Sequence, residues 1–210
     1  MEDGTPSAPA RVVVLLFPGF ELLDVCGPVE LLSLAVDRFH IEFTAQEAGP
    51  VAAAQGVGLV ATRALHEVAS ADILLVPGGA GTRREVDNVP LLEWLRATAS
   101  NARIVASVCT GSALLARAGV LDGRRATSNK IAFDWAASQG PRVEWIRWAR
   151  WVEDGKFLTS SGISAGMDMT LALIARAAGR DVALESARRA EYVWNEDPDD
   201  DPFAAEPQNL

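Results

Sequence analysis

The residues with the clearest chemical potential surround Cys109, where an apolar run gives way to a helical pattern. The apolar residues 104–108 favour a buried strand, and the Ala- and Leu-rich residues that follow favour a helix. Ser107 and Gly111 flank Cys109 in the small-x-nucleophile-x-Gly spacing of a nucleophile elbow. The free N–H groups at the start of such a helix favour the thiolate. The pattern predicts a reactive cysteine, whereas a cysteine in an apolar strand is more commonly a small buried hydrophobe.

Two further features follow predicted strands and should therefore lie at the same edge of a parallel sheet. Asp24 follows the predicted strand at residues 11–17, and Gly78 and Gly79 follow another apolar run. A thiolate that attacks carbon needs an acid or base, and N–H donors for the charge that develops on the substrate. We predict Asp24 as the acid or base, and the Gly78–Gly79 loop and Thr110 as the substrate-binding donors. The alternatives are a helix N-cap or first-turn carboxylate for Asp24 and a tight turn for the glycines.

Histidine and metal chemistry are poorly supported by the sequence. His40 and His66 are the only histidines, and neither follows the carboxyl end of a predicted strand. This favours a Cys/Asp site over a Cys–His hydrolase. The chain has two cysteines, Cys26 and Cys109, and no CxxC motif, so we expect free thiols and no metal site. The loop at residues 77–81 lacks the third glycine of a dinucleotide fingerprint, which argues against a dinucleotide site.

The composition of the 210 residues limits the classes of function. The net charge is −9 and the pI about 4.7, which argues against nucleic acid as a partner. The apolar runs are shorter than the roughly 20 residues of a membrane-spanning helix, and the first ten residues do not resemble a signal peptide. We therefore expect a cytoplasmic protein that acts on a small-molecule substrate away from membranes.

Strand and helix patterns alternate along the chain, which predicts an α/β fold with a doubly wound, mostly parallel sheet and helices on both faces. We predict a flexible N-terminus at residues 1–10, a single domain at 11–194 and a solvated acidic tail at 195–210. Trp145, Trp148 and Trp151 are expected to pack on one half-buried strand. The predicted helices are 24–35, 89–99, 128–139, 167–178 and 181–194; the further predicted strands are 40–45, 72–76 and 104–108. Residues 48–62 predict a short hairpin or an irregular excursion, and a hairpin is predicted between 143–152 and 156–160.

Five motifs, taken in order, resemble the ThiJ/PfpI superfamily of class I glutamine amidotransferase-like proteins over roughly residues 11–194. The second and the fourth are most similar to those of the isocyanide hydratases in that superfamily. The motifs are Phe17-Pro18-Gly19-Phe20, Leu23-Asp24-Val25-Cys26-Gly27-Pro28-Val29-Glu30, Val76-Pro77-Gly78-Gly79, Ser107-Val108-Cys109-Thr110-Gly111-Ser112 and Ser161-Gly162-Ile163-Ser164-Ala165-Gly166-Met167-Asp168.

This resemblance implies a flavodoxin-like fold, usually a homodimer, and a cofactor-free reaction with Cys109 as nucleophile and Asp24 as acid/base. In that reaction the thiolate adds to an isocyanide carbon, and the thioimidate is hydrolysed to an N-substituted formamide. Asn129 is a departure, because several relatives carry a histidine after the nucleophile helix. A glyoxalase, deglycase or amidase-type activity remains an alternative. So does a non-enzymatic sensor or ligand-binding protein in which Cys109 is oxidised. A regulator is disfavoured, because no helix-turn-helix extension is visible.

Overall fold

The computed structural model describes residues 8–204. The predicted flexibility of residues 1–7 and the last six residues of the predicted tail lie outside the described residues. Ala10, the last residue of the predicted N-terminal segment, begins the first strand.

Strands and helices alternate through the described chain. The strands are β1 (Ala10–Leu15), β2 (Phe39–Ala45), β3 (Gly49–Ala52), β4 (Gly58–Ala61), β5 (Arg63–Ala64), β6 (Ile73–Val76), β7 (Ile104–Ser107), β8 (Arg125–Ala126), β9 (Glu144–Trp145), β10 (Trp151–Asp154) and β11 (Phe157–Ser160). The α-helices are α1 (Leu22–Leu34), α2 (Thr82–Glu85), α3 (Val89–Asn101), α4 (Gly111–Arg117), α5 (Phe133–Ser138), α6 (Ala165–Ala178) and α7 (Arg180–Arg189).

The central sheet of the described residues has the strand order β10-β11-β7-β6-β1-β2-β5. Its neighbouring strands are parallel except for the antiparallel pair β10–β11. Strands β3 and β4 form a separate antiparallel hairpin, which is one of the two alternatives predicted for residues 48–62. Strands β8 and β9 form another small sheet, which is parallel. The predicted flavodoxin-like α/β fold is confirmed.

The middle of the sheet is buried on both faces. All four residues of β6 and of β7 are buried, which explains why these strands are short continuous runs of apolar or small residues. Helices α1, α6 and α7 pack together, and α4 packs with α2, α3 and α5. Within residues 8–204, no helix has both the length and the apolar character needed to cross a membrane. Because β1, β6 and β7 are parallel, their carboxyl ends meet at one edge of the sheet, where the candidate site lies.

Two predicted helices are shorter than expected. The helix predicted for 128–139 begins only at Phe133, because the Ser128 hydroxyl donates to the Cys109 carbonyl and Asn129 Oδ1 accepts from Ala132 N. The helix predicted for 181–194 ends at Arg189, and Glu191 then has a φ of +50°. In both regions, hydrogen bonds outside the helix or a left-handed residue replace the regular helical pattern.

The prediction that three tryptophans lie on a single strand is also wrong. Trp145 lies on β9 and Trp151 on β10, while Trp148 lies between them and is 60% exposed. The backbone between these strands forms hydrogen bonds with other partners. The Ala149 carbonyl, for example, accepts a hydrogen bond from Lys130 Nζ. These partners interrupt the strand at residues 146–150.

The beginning of the predicted solvated tail packs against the domain; we call residues 195–204 the C-terminal segment. Asn195 N donates to Asp168 Oδ1 at 2.9 Å, and the Pro198 carbonyl accepts from Arg150 N at 2.6 Å. The side chain of Asp201 is fully buried and pairs with Lys130 at 3.6 Å. Residues 196–200 are exposed, whereas the Asp201 side chain and the backbone groups of Asn195 and Pro198 have partners far away in the sequence.

Candidate active site

Cys109 occupies the sharp turn between β7 and α4. Its φ is +57°, a left-handed conformation that side chains other than glycine rarely adopt. Three hydrogen bonds hold it there: Cys109 N donates to the Ser161 carbonyl at 3.2 Å, and its own carbonyl accepts from the Ser112 and Ser128 hydroxyls at 3.1 and 3.0 Å. Such backbone strain typically costs about 1–3 kcal/mol and persists only where the surroundings enforce it. The residue therefore has the geometry of the predicted nucleophile elbow.

Glycines allow the loop after β6 to approach this elbow closely. A Cβ atom on Gly78 would lie 2.5 Å from Thr110 N and 2.9 Å from the Cys109 Cβ. A Cβ atom on Gly111 would lie 2.2 Å from the Val76 carbonyl oxygen. Side chains at positions 78 and 111 would therefore push the β6 loop and the elbow apart.

Asp24 lies within the first turn of α1 and is fully buried. Its Oδ2 atom accepts a hydrogen bond from Gly78 N at 2.9 Å, while its buried Oδ1 atom has no hydrogen-bond partner among the described residues. The N-cap of α1 is Glu21, which makes no side-chain capping bond. Asp24 therefore has the first-turn position of the alternative interpretation, but its N-cap version is wrong, because the carboxyl accepts from the β6 loop rather than from its own helix.

Asp24 and Cys109 lie close enough to perturb each other's ionisation. Burial raises the pKa of Asp24 to about 8, and the charge of Glu21 contributes to the increase. Hydrogen bonds from Gly78 and Cys109 lower the pKa and so oppose this shift. Burial also raises the pKa of the Cys109 thiol, and a charge on Asp24 raises it further. The N–H and hydroxyl of Thr110 and the N–H of Ile163 lower the thiol pKa.

Because the two groups interact, they titrate as a pair, and the loss of the first proton cannot be assigned to one residue. When Asp24 is protonated, its charge no longer raises the pKa of Cys109. Three groups of Thr110 and Ile163 favour the anionic sulfur, and two groups, the Gly78 N–H and Cys109, favour the anionic carboxyl. Burial therefore keeps Asp24 protonated beside Cys109, and the donors at the sulfur oppose the rise in the thiol pKa, which places an acid next to a potential nucleophile.

The predicted donor Gly79 N–H already has a protein acceptor. It donates to Thr110 Oγ1 at 3.0 Å, and the Thr82 hydroxyl donates to the Gly79 carbonyl at 2.7 Å. Gly79 has a φ of +122°, and a Cβ atom there would lie 2.4 Å from Glu21 N. The N–H reaches a substrate only if the Thr110 hydroxyl turns aside, and its oxyanion role stays a prediction.

The two histidines lie away from this site. His40 is on β2, in register with Arg11 near the amino end of β1, and pairs with Glu42; His66 is in the 3-10 turn Leu65–Glu67. Asn129 is the residue predicted to replace the histidine that several relatives carry. Its Oδ1 atom accepts a hydrogen bond from Ala132 N.

A cavity of about 520 Å³ adjoins the elbow. Cys109 and Asp24 do not line it, but Ser161 and Ile163, whose backbones interact with Cys109, do. Lys130 and Phe203 also line it, and sequence reasoning missed both because no local pattern places them near Cys109. Another cavity, of about 450 Å³, lies between β10 and the C-terminal segment, away from the elbow.

Comparison with known proteins identifies the family of this chain. Residues 10–176 match the DJ-1/PfpI family, and the chain belongs to that family. It is 34% identical over 185 residues to an isonitrile hydratase of Pseudomonas putida, covering 87% of this chain and 78% of that protein.

Proteins with other names share the same domain. The chain is 35% identical over 176 residues to the HTH-type transcriptional regulator CdhR of Pseudomonas aeruginosa, covering 81% of this chain and 52% of the regulator, and so spans about half of its length. The crystal structure of a ThiJ/PfpI family protein from Pseudomonas syringae superposes with a TM-score of 0.82 at 27% identity, covering 100% of this chain and 84% of that one. The family and the fold are therefore shown, whereas membership alone does not select one activity.

Proposed function

We propose that this protein is a cysteine-dependent hydratase that converts an isocyanide to an N-substituted formamide. One observation carries the proposal: a fully buried Asp24, fixed by Gly78 N–H instead of capping its helix, faces a strained Cys109. The similarity to an isonitrile hydratase supports the choice of substrate.

The first step joins Cys109 to the substrate. The thiolate sulfur forms a bond to the terminal carbon of the isocyanide, and the electron pair that develops on that carbon takes the proton of Asp24. The product is a thioimidate, in which the carbon carries one hydrogen, the sulfur and a double bond to nitrogen. Asp24 is left as a carboxylate, which Gly78 N–H stabilises.

The second stage adds water and releases the product. A water molecule attacks the thioimidate carbon while Asp24 accepts one of its protons and passes it to the nitrogen. The resulting tetrahedral carbon carries hydroxyl, nitrogen, hydrogen and sulfur. Asp24 then accepts the hydroxyl proton, the carbon–sulfur bond breaks, and formamide leaves with the thiolate and the carboxylic acid restored. The overall reaction adds one water molecule to the isocyanide. It involves no oxidation or reduction and therefore needs no redox partner.

An aryl isocyanide tests the proposal by chromatography of the expected N-aryl formamide. Cys109→Ala should reduce formation to the uncatalysed rate, because no sulfur remains to form the thioimidate. Asp24→Asn should lower kcat by roughly 10²- to 10⁴-fold, the usual contribution of a general acid or base, with unchanged circular dichroism. Mass spectrometry of the stopped reaction should show wild-type protein heavier by one substrate molecule.

Other outcomes select other functions. Hydration that survives in Cys109→Ala would contradict the covalent mechanism. Conversion of methylglyoxal without turnover of isocyanide would replace the proposal with carbonyl chemistry. A stable oxidised Cys109 after peroxide treatment, with neither activity, would favour a sensor. The expected homodimer stays a prediction that sedimentation velocity can check.

A further inference from the structure

The 520 Å³ cavity and the elbow share one wall, the turn of residues 161–164. The Ser161 carbonyl accepts from Cys109 N, and the Ile163 N–H lowers the thiol pKa. The same two residues line the cavity. A substrate whose reacting carbon meets the sulfur would therefore have the rest of its atoms beside this turn.

The charged groups on the cavity wall already have partners. Arg147 pairs with Asp134, and Lys130 pairs with Asp201 at 3.6 Å. The Lys130 ammonium also donates to Thr127 Oγ1 at 2.9 Å and is only 8% exposed at its side chain. With these charges compensated in pairs, the wall favours an uncharged ligand.

Large apolar side chains on the same wall are exposed. Ile131 is 73%, Phe203 56% and Ile163 38% exposed. An apolar group bound in the cavity would remove part of this surface from water, the main favourable contribution to binding in such sites.

We propose that the cavity binds the N-substituent of the isocyanide, and that Phe203 is a specificity-determining residue that favours large, uncharged apolar substituents. The inference rests on the proposed function, because it names the substrate class for the same site.

The C-terminal segment holds Phe203 at the cavity. Phe203 N donates to Asp201 Oδ1 at 3.0 Å, and Asp201 pairs with the buried Lys130. Lys130 is in turn tied to the domain by the Ala149 carbonyl. The ring therefore belongs to a wall supported by buried contacts, although it comes from the end of the described chain.

The test compares methyl isocyanide with cyclohexyl isocyanide as substrates. Phe203→Ala should raise KM for the cyclohexyl substrate roughly tenfold, because the ring contributes apolar contact that a methyl group does not reach. The kcat for both substrates and KM for methyl isocyanide should stay within about twofold, because Phe203 does not touch the reacting atoms. Phe203→Leu should recover most of the loss. Val193→Ala is the matched control, since Val193 is 89% exposed and lines neither cavity.

An equal rise in KM for both substrates, or no rise for either, would overturn the inference. So would a Phe203→Ala variant that shifts the oligomeric state in light scattering without changing selectivity, because the apolar wall would then be a subunit interface.

If wild-type protein hydrates neither isocyanide, the proposed function fails and the cavity is tested separately. In a Cys26→Ser background, mass spectrometry follows the alkylation of Cys109 by N-methylmaleimide and N-phenylmaleimide. Phe203→Ala should slow only the phenyl reagent, by about threefold or more, since only that reagent fills an apolar cavity. An unchanged ratio of the two rates would overturn the inference independently of hydratase activity.

Discussion

The Asp24→Asn variant should change how stability depends on pH. Burial raises the pKa of this carboxyl from 3.8 to about 8 in the folded protein. Between pH 4 and pH 8 the folded state therefore keeps a proton that the unfolded chain has lost. Stability from this group is highest below pH 4 and falls as pH rises, by about 1.4 kcal/mol per pH unit, until the folded carboxyl also ionises near pH 8. Asparagine cannot ionise, so the variant should lack this decrease.

Guanidinium denaturation at pH 5, 6, 7 and 8 measures the effect. The free energy of unfolding of the variant minus that of the wild type should increase by on the order of 4 kcal/mol from pH 5 to pH 8. Other titrating groups largely cancel in this difference. Asparagine has nearly the same shape as aspartate, and its amide oxygen can still accept from Gly78 N, which in the wild type donates to Asp24 Oδ2 at 2.9 Å.

The matched control is Cys109→Ala, which removes the thiol but keeps the buried carboxyl. It should therefore keep a decrease in stability across the same pH range. Parallel stability curves for wild type and Asp24→Asn would mean that Asp24 is ionised in the folded protein at neutral pH. That result would refute its assignment as the acid that protonates the substrate carbon.

Three further results are expected. With an aryl isocyanide, wild-type kcat should fall above about pH 8 as the acid form of Asp24 is lost; an increase through that pH would contradict its role. Gly78→Ala should lower the free energy of unfolding by about 1–3 kcal/mol in guanidinium, because the added Cβ would lie 2.5 Å from Thr110 N; unchanged stability would show that the loop yields freely. Asp168→Ala should lower the free energy of unfolding by about 3–5 kcal/mol, because it leaves the Arg150 guanidinium buried without its carboxylate. In the same guanidinium titration, a decrease below about 1 kcal/mol would mean that water replaces the carboxylate.

The parts of the fold that follow local rules were predictable from the sequence. Strands β1, β6 and β7 are continuous apolar or small-residue runs because both faces of the sheet are covered. No local sequence pattern predicts that Asp24 lies near Cys109. It follows from the rule that parallel strands end at one edge, and the Gly78 hydrogen bond to Asp24 agrees with it.

The parts that depend on long-range partners were not predictable. The charge on Asp201 predicted solvation, but the ammonium of Lys130 lies beside it and both side chains are buried. The Gly79 N–H looked free in a glycine loop, but the Thr110 hydroxyl accepts from it. In both cases the sequence shows a group able to bond, and only the tertiary structure shows which partner lies within reach.

The hydroxyls around Cys109 explain why a strained residue persists at the centre of the site. The backbone of Cys109 is fixed by the Ser112 and Ser128 hydroxyls at its carbonyl and the Ser161 carbonyl at its N–H. Because these contacts do not use the sulfur, they constrain the left-handed backbone while the thiol stays available to react. The direction of the Cα–Cβ bond is set by that backbone, and the sulfur lies close enough to Asp24 for each group to shift the pKa of the other. Loss of one serine hydroxyl would therefore disturb the geometry of the pair before it disturbed the fold.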